Sequence, residues 1–456
     1  SPRTLLALAG SYEQMRDYSS AAEVLRRALA LNPDNGRLKR ALAQNLLFAE
    51  KLDESLKIYQ ELAAEDPKDM QAPLRMAEIY RQKRNIAQAG AALAKAREID
   101  RSALEVRYEE VNLLEAEGKS EEAAAVLKAL VTDTAKKTYA PPERNTRAML
   151  LERLGALYRS VHQPEQSLEA FRQIAELDPE YGPRVALHTI DVWRGERDFA
   201  KAREEAEAAV KRYPEDRLVR LSHASLLADL GKVDQAAGEV RSLLKGGKER
   251  ETYLALAQIY EKGKRFADME KAIAEAERLS GARQEKEAVH FMRGAMYEKM
   301  KKYDLAEAEF GKVLELNPEN AGAMNYLGYM LADRGLRLAE SEKLISGALQ
   351  IEPFNGAFLD SLGWAYYRQN RLAEAEAALL RAIERVRRDP TIHDHLGDVY
   401  LKQGRIREAM AQWQISLKEW ESSPQADQDP EEMAKVSKKL ESGRVRLARE
   451  HSKTQP

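Results

Sequence analysis

Cysteine is absent from this chain of 456 residues, and several kinds of site are absent with it. A chain without thiols has no disulfide, no thiolate metal site and no cysteine nucleophile. Runs of about 18 consecutive apolar residues are also missing, so we expect no membrane-spanning helix. Glycine contributes 24 residues and proline 16, too few for a low-complexity or fibrous protein.

An excess of charge of either sign is missing as well. The 73 basic side chains nearly balance the 75 acidic ones, which leaves a net charge of −2. A protein that holds nucleic acid or an anionic membrane through its overall field needs a surplus of lysine and arginine. We therefore predict no nucleic-acid partner.

Motifs that carry catalysis are not found either. The sequence has no glycine-rich phosphate loop, no nucleophile elbow and no H-E-x-x-H zinc motif. His395 and Asp398, three positions apart on a predicted helix, could supply two metal ligands, but no third ligand lies nearby in the sequence. We predict no catalytic residue, no metal, no cofactor and no small-molecule substrate.

A repeat fills almost the whole chain. Twelve large apolar residues, here called anchors, follow one another at intervals of 33 to 37 residues, interrupted by a single interval of 44. The anchors are Tyr12, Leu46, Tyr80, Leu114, Tyr158, Trp193, Leu227, Tyr260, Tyr297, Leu331, Tyr366 and Tyr400. Each repeat contains two segments with apolar residues at helical spacing, separated by a short turn. Neither helix can bury its apolar stripe alone, so neighbouring repeats must stack.

The best-formed repeats share a short motif. Leu396-Gly397 precedes the anchor Tyr400, and Ala409 and Trp413 follow it. A helix-turn-helix of this length with this pattern resembles the tetratricopeptide repeat. The resemblance covers all twelve repeats. It implies an all-α, right-handed superhelical solenoid of about twelve helix-turn-helix units with a C-terminal capping helix.

Two interruptions and a tail divide the array. The predicted organisation is repeats 1–4 at residues 2–131, an extended loop insertion at 132–145, repeats 5–8 at 146–279, repeats 9–12 at 280–420, a linker at 421–430 and a capping helix at 431–451. Pro141-Pro142 lies in the insertion, which we expect to be extended rather than helical, and passive. From Glu431 onward the tail carries seven basic and four acidic side chains, which we expect to form a solvated face rather than an anion contact.

In tetratricopeptide arrays the first helix of each repeat lines a concave groove, and the resemblance implies which positions face it. In repeats 10 to 12 these positions are Asn325, Tyr329, Asp333, Asp360, Trp364, Tyr367, Arg368, Asp394, Asp398 and Lys402. Tyrosine, tryptophan and arginine dominate binding energy at interfaces, so we predict that this strip binds a protein or peptide. The alternative is that Tyr329 and Trp364 pack between neighbouring first helices. The acids in the strip argue against capture of a partner's terminal carboxylate.

The predicted function is a non-catalytic scaffold or adaptor that binds a protein or an extended peptide in the groove. Repeats 10 to 12, with phrases such as NYLGYMLADRG and FLDSLGWAYYR, also resemble those of bacterial, often envelope-associated scaffold proteins. That resemblance implies a periplasmic or envelope location. The alternative is a recognition arm of a larger enzyme or regulator, for example a protein glycosyltransferase, whose catalytic domain lies outside this chain.

Overall fold

The chain folds into paired α-helices. A computed structural model describes the backbone of residues 2–454 and the side chains of residues 4–449. That part of the chain contains 25 α-helices and two short 3-10 turns, and no β-strand. The first 24 helices form twelve successive pairs, and the pair of helices Gly182–Gly195 and Phe199–Arg212 shares one apolar cluster. This arrangement confirms the predicted all-α solenoid of helix-turn-helix repeats. Among these 24, odd-numbered helices are the first helices of their repeats, and even-numbered helices are the second.

The helices belong to two compact units, which meet in sequence at Val185 and Ala186. The N-terminal unit contains α1 (Pro2–Gln14), α2 (Tyr18–Leu31), α3 (Gly36–Phe48), α4 (Leu52–Glu65), α5 (Gln71–Gln82), α6 (Ile86–Ile99), α7 (Leu104–Ala116), α8 (Ser120–Asp133), α9 (Pro141–Ser160), α10 (Pro164–Leu177) and the start of α11 (Gly182–Gly195). The C-terminal unit contains the rest of α11 and α12 (Phe199–Arg212), α13 (Arg217–Asp229), α14 (Val233–Ser242), α15 (Glu249–Lys262), α16 (Phe266–Arg278), α17 (Arg283–Lys299), α18 (Tyr303–Leu316), α19 (Ala321–Arg334), α20 (Leu338–Ile351), α21 (Gly356–Arg368), α22 (Leu372–Arg385), α23 (Pro390–Lys402), α24 (Ile406–Ser422) and α25 (Pro430–Thr454).

All twelve pairs are joined by the same turn. Four residues after each anchor the backbone has a positive φ, between 53° and 82°, at Arg16, Glu50, Arg84, Gly118, His162, Arg197, Gly231, Lys264, Lys301, Gly335, Asn370 and Gly404. The next residue donates its N–H to the carbonyl of the anchor, as Arg405 does to Tyr400 at 2.8 Å. This ending satisfies a carbonyl that the helix would leave unpaired. Because the bond recurs at every anchor, the predicted register of twelve repeats is correct.

A glycine before the anchor lets the two helices of a pair approach closely. A Cβ at Gly397 would lie 2.4 Å from Nε1 of Trp413, and a Cβ at Gly155 would lie 2.5 Å from the Phe171 ring. Both distances are too short for carbon, so only glycine fits beside these aromatic rings. The buried hydroxyl of Ser167 fastens the same contact by donating to the carbonyl of Gly155 at 2.7 Å.

The predicted extended insertion at 132–145 is wrong for half of its length. Since α8 continues to Asp133 and α9 begins at Pro141, only residues 134–140 lie outside helices. Proline suits the first helical position, because an N–H at that position would have no partner within the helix. Glu143 completes the start of α9 by accepting the N–H of Ala140 at 3.0 Å. The extra residues therefore lengthen α9 to 20 residues.

After repeat 12 a short connection leads to α25. Asp429 caps this helix by accepting the N–H of Glu431 at 3.0 Å. Val436 and Leu440 are buried in the same apolar cluster as Trp413. This helix therefore covers the stacking face of repeat 12 and takes the place that a first helix of a further repeat would have.

The repeated turn predicts opposite effects for two identical substitutions. Lys264→Gly should raise the free energy of unfolding by up to about 1 kcal/mol, since a side chain in the left-handed region is strained and glycine is not. Lys271→Gly, in the exposed interior of α16, should lower it by about 1 kcal/mol. Urea unfolding followed by circular dichroism measures both. Effects of the same sign would contradict the account of the turn.

Candidate functional site

The three first helices α19, α21 and α23 bring the ten residues of the predicted strip side by side. At the centre, Nε1 of Trp364 donates a hydrogen bond to Oδ1 of Asp333 at 3.2 Å. The Trp364 ring stacks on Tyr367, with 4.8 Å between ring centroids, and on His395, with 4.1 Å. Nδ1 of His395 lies 2.8 Å from Oδ1 of Asp360. Side chains of three helices are thus joined in one cluster.

Burial corrects one expectation about this cluster. Trp364 is 9% exposed and Asp360 is 7% exposed, so the indole packs between first helices, as the alternative interpretation held. Tyr329 is half-buried, and burial together with the carboxylate of Asp360 raises the pKa of its phenol well above the ordinary value. Asn325, one turn earlier, is half-buried as well, and in the described part of the chain its Oδ1 has no hydrogen-bond partner. Trp364 therefore packs below the surface of the strip, and its ring is not available to a partner.

Other members of the strip reach solvent. Asp333 and Lys402 are exposed, and Tyr367 and Arg368 are half-buried. Nζ of Lys402 lies 4.5 Å from the centroid of the Tyr367 ring. The guanidinium of Arg368 donates to the carbonyl of Asp333 and lies 5.9 Å from the centroid of the Trp364 ring. An acid, two cations and a phenol ring therefore make up the accessible part.

Asp394 and Asp398 are engaged by the C-terminal helix. Nζ of Lys439 lies 2.8 Å from Oδ1 of Asp394 and 2.8 Å from Oδ2 of Asp398. Burial and the neighbouring carboxylate of Asp394 raise the pKa of Asp398. The tail was expected to present only a solvated face, and at Lys439 that expectation is wrong, because the tail folds back onto acids of its own chain.

Two other kinds of site find no support in the described residues. His395 contacts Asp360, whereas Asp398 contacts Lys439, so the two candidate metal ligands do not converge. Within residues 4–449 no three histidine, aspartate or glutamate side chains gather as a metal ion would require. Of the helices described, none has the length and apolarity that crossing a bilayer demands.

A second surface, which the sequence analysis missed, lies in the N-terminal unit. A cavity of about 710 Å³ opens between α5, α7 and α9 and reaches Arg184 of α11, and we call it the N-terminal groove. Its walls include Leu104, Tyr108 and Met149, which are 52%, 39% and 62% exposed. The guanidinium of Arg153 lies 4.8 Å from the centroid of the Tyr108 ring. Large apolar side chains that gather in one exposed hollow mark a contact site.

Charged side chains around the N-terminal groove are paired across neighbouring first helices. Arg81 of α5 makes two hydrogen bonds to the carboxylate of Glu109 of α7, at 2.7 Å and 3.3 Å. Nε of Arg184 donates to Oε1 of Glu152 at 2.7 Å. These charges neutralise one another. The groove would therefore hold a partner through its shape and its apolar side chains rather than through net charge.

The register of the repeat contained a signal for this groove. Tyr108 and Glu152 occupy in their repeats the position of Asn325, and Asn112 occupies the position of Tyr329. The positions implied to face the groove are given above only for repeats 10 to 12, where the motif is best formed. The same rule extends to the other repeats. Applied to repeats 3 to 5, it identifies Tyr108, and it also identifies Met149, which lies nine residues before the anchor Tyr158.

Comparison with known proteins identifies the repeat. Family models described as tetratricopeptide repeat match residues 12–75, 190–248, 287–320, 334–391 and 361–427. Together these matches cover more than half of the chain.

Relatives among curated proteins and solved structures are more distant. The TPR repeat-containing protein PA4667 of Pseudomonas aeruginosa is 32% identical over 168 residues, a match that covers 33% of this chain. The chain spans about a quarter of that protein's length, 26%. Yeast Tom70 aligns over 98% of this chain and 96% of its own, with 16% identity and a TM-score of 0.49. The APC/C hetero-tetramer Cut9-Hcn1 aligns over 97% and 96%, with 14% identity and a TM-score of 0.43.

The His395–Asp360 pair predicts a pH-dependent stability. Burial alone lowers the pKa of His395, but Asp360, with Asp394 and Asp398 nearby, raises it above its ordinary value. The folded chain then retains a proton that the unfolded chain releases. This contribution is complete below about pH 6.5 and is lost as the pH rises through the raised pKa.

Urea midpoints measured between about pH 6 and about pH 9 test this sign. The wild-type midpoint should fall more over this range than the midpoint of His395→Gln. Asp360→Asn should flatten the dependence in the same way, because this carboxylate is the main source of the upward shift. Parallel profiles for the three proteins would contradict the assignment.

Proposed function

Because this chain belongs to the tetratricopeptide repeat family, we propose that it is a non-catalytic scaffold that binds an extended segment of a partner protein along its first helices. The observation that supports this most directly is the N-terminal groove, where Leu104, Tyr108 and Met149 are exposed together in one hollow. Burying such side chains against a partner removes large apolar areas from water, which is the main favourable term in association.

The dimensions of the groove favour an extended segment. Neighbouring helices pack about 8–10 Å apart, so three first helices span roughly 20 Å between their outer axes. An extended chain rises about 3.3 Å per residue and would cross them with about six residues. Alternate side chains of such a segment would point into the groove, and apolar ones would meet Tyr108 and Met149.

The strip in repeats 10 to 12 is a second proposed contact surface. Tyr367, Arg368 and Lys402 would meet a partner, whereas Trp364 would hold the strip in shape. Tyrosine and arginine are enriched among the residues that dominate binding energy at interfaces. Trp364→Ala is unsuitable as a test of partner contact. It would remove a buried ring and destabilise the chain by about 3–5 kcal/mol. Tyr367→Ala tests contact with less risk to the fold.

The non-catalytic part of the proposal is supported by the lack of any recognisable catalytic motif in the sequence. If the repeats instead serve as the recognition arm of a larger enzyme, the same groove would select that enzyme's substrate protein. The envelope location implied by resemblance stays a prediction.

A selection experiment tests the groove. A displayed library of random short peptides is selected on the wild-type chain, and the affinity of the enriched peptides is measured by fluorescence anisotropy. The peptides should carry apolar or aromatic residues at alternate positions. The double variant Tyr108→Ala/Met149→Ala should bind them at least about tenfold more weakly, a loss of about 1.4 kcal/mol.

The matched control is the double variant Leu218→Ala/Leu305→Ala. Both leucines are exposed, at 61% and 48%, and neither lines the N-terminal groove. The control should bind the selected peptides as the wild type does. Equal binding by the groove variant and the wild type would exclude the groove as the binding site.

A further inference from the structure

The segment at residues 423–449, here called the C-terminal latch, reaches well beyond repeat 12. Its connection to α25 meets the ends of α13 and α15, the first helices of repeats 7 and 8. The N–H of Ala426 donates to the carbonyl of Asp229 at 3.2 Å. Nζ of Lys262 donates to Oδ1 of Asp427 at 2.7 Å, although 165 residues separate them in sequence. The latch therefore joins repeats that are distant in the chain.

The same latch then continues along α25. Glu431 faces Lys301 of repeat 9, with 3.9 Å between Oε2 and Nζ. Lys439 bridges Asp394 and Asp398 of repeat 12 at 2.8 Å each. In order along the latch, two acids face two lysines, and a lysine then faces two acids. This match of charges distinguishes a docked segment from a simple end cap.

Few side chains of the latch are buried against the repeats. Val436 and Leu440 are the large apolar side chains that α25 buries within its described part. The side chains of Asp427 and Glu431 remain 45% and 79% exposed, so their two ion pairs are accessible to water and salt. The pairs of Lys439 with Asp394 and Asp398 are more shielded, since these side chains are 30%, 14% and 13% exposed. The latch is therefore held mainly by two apolar side chains and one lysine.

We infer that the C-terminal latch is an internal ligand, which occupies a site for a basic amphipathic helix of a partner protein until that helix displaces it. The inference rests on the proposal that the strip in repeats 10 to 12 contacts a partner. It adds that the C-terminal latch controls access to that surface. The chemistry of the partner follows from the residues that hold the latch. Asp394 and Asp398 require a lysine or arginine, flanked by apolar residues three positions before and one after, as Val436 and Leu440 flank Lys439.

Release of the latch leaves a surface that favours a new occupant. Asp394 and Asp398 lie one turn apart on α23, and two like charges at that spacing are unfavourable without a cation between them. The site is therefore selective for a positively charged helix and against an acidic one.

Binding in trans tests the inference. The probe is a fluorescent synthetic peptide of residues 423–449, and the receptors are full-length chains. The release variant Val436→Asp/Lys439→Glu alters only the latch and keeps the receiving surface intact. It should bind the peptide at least about tenfold more tightly than the wild type, whose own latch competes at high effective concentration. A peptide with Lys439→Glu should not bind. A peptide with Lys438→Glu, the same charge change at an exposed neighbour, should bind normally.

Two further measurements keep a folding defect apart from release. Circular dichroism checks that the release variant is helical, and its melting temperature should rise when the peptide is added. Asp394→Asn/Asp398→Asn, added to the release variant, should abolish peptide binding. Equal affinity of wild type and release variant, absence of binding by the folded release variant, or indifference to the two aspartates would each overturn the inference. Peptides selected on the N-terminal groove should bind all these chains alike, so failure of one proposal is distinguishable from failure of the other.

Discussion

One backbone hydrogen bond, repeated twelve times, sets the geometry of every helix pair. The residue five positions after each anchor donates its N–H to the anchor's carbonyl at 2.8–2.9 Å. The residue directly before this donor adopts a left-handed conformation. Only four of these twelve left-handed residues are glycine, so eight turns carry the strain of a side chain there. Because the chain reverses at the same point each time, equivalent residues lie on the same face of each first helix.

Polar pairs between neighbouring first helices build on that regularity. Arg81 bonds to Glu109 in the N-terminal unit, and His395 bonds to Asp360 in the C-terminal unit. These pairs make part of the lateral contact between first helices, and in the C-terminal unit the buried Trp364 ring adds to it. In the N-terminal unit the Tyr108 ring stays 39% exposed and lines the N-terminal groove.

The two proposed surfaces differ in how they are occupied. The N-terminal groove has neutralised charges and exposed apolar side chains, which suits an extended segment held by shape. The strip of the C-terminal unit contains a buried aromatic ring, Trp364, and two neighbouring acids, Asp394 and Asp398. The chain's own Lys439 pairs with both acids. On the two proposals made above, the N-terminal groove is open to a partner segment, whereas the strip admits one only after release of the C-terminal latch.

The sequence by itself determined the number of repeats, their register and the all-α fold, because the contacts that build one repeat lie within about 34 residues and recur. It misjudged the start of α9, since the restriction on residues before proline was weighed above the suitability of Pro141 for a helix start. It could not place Trp364 under the strip, because that ring stacks on His395 from the next repeat. Only the tertiary structure decided which equivalent surfaces are covered, since no repeat pattern relates residues such as Lys262 and Asp427, which meet across 165 residues of sequence.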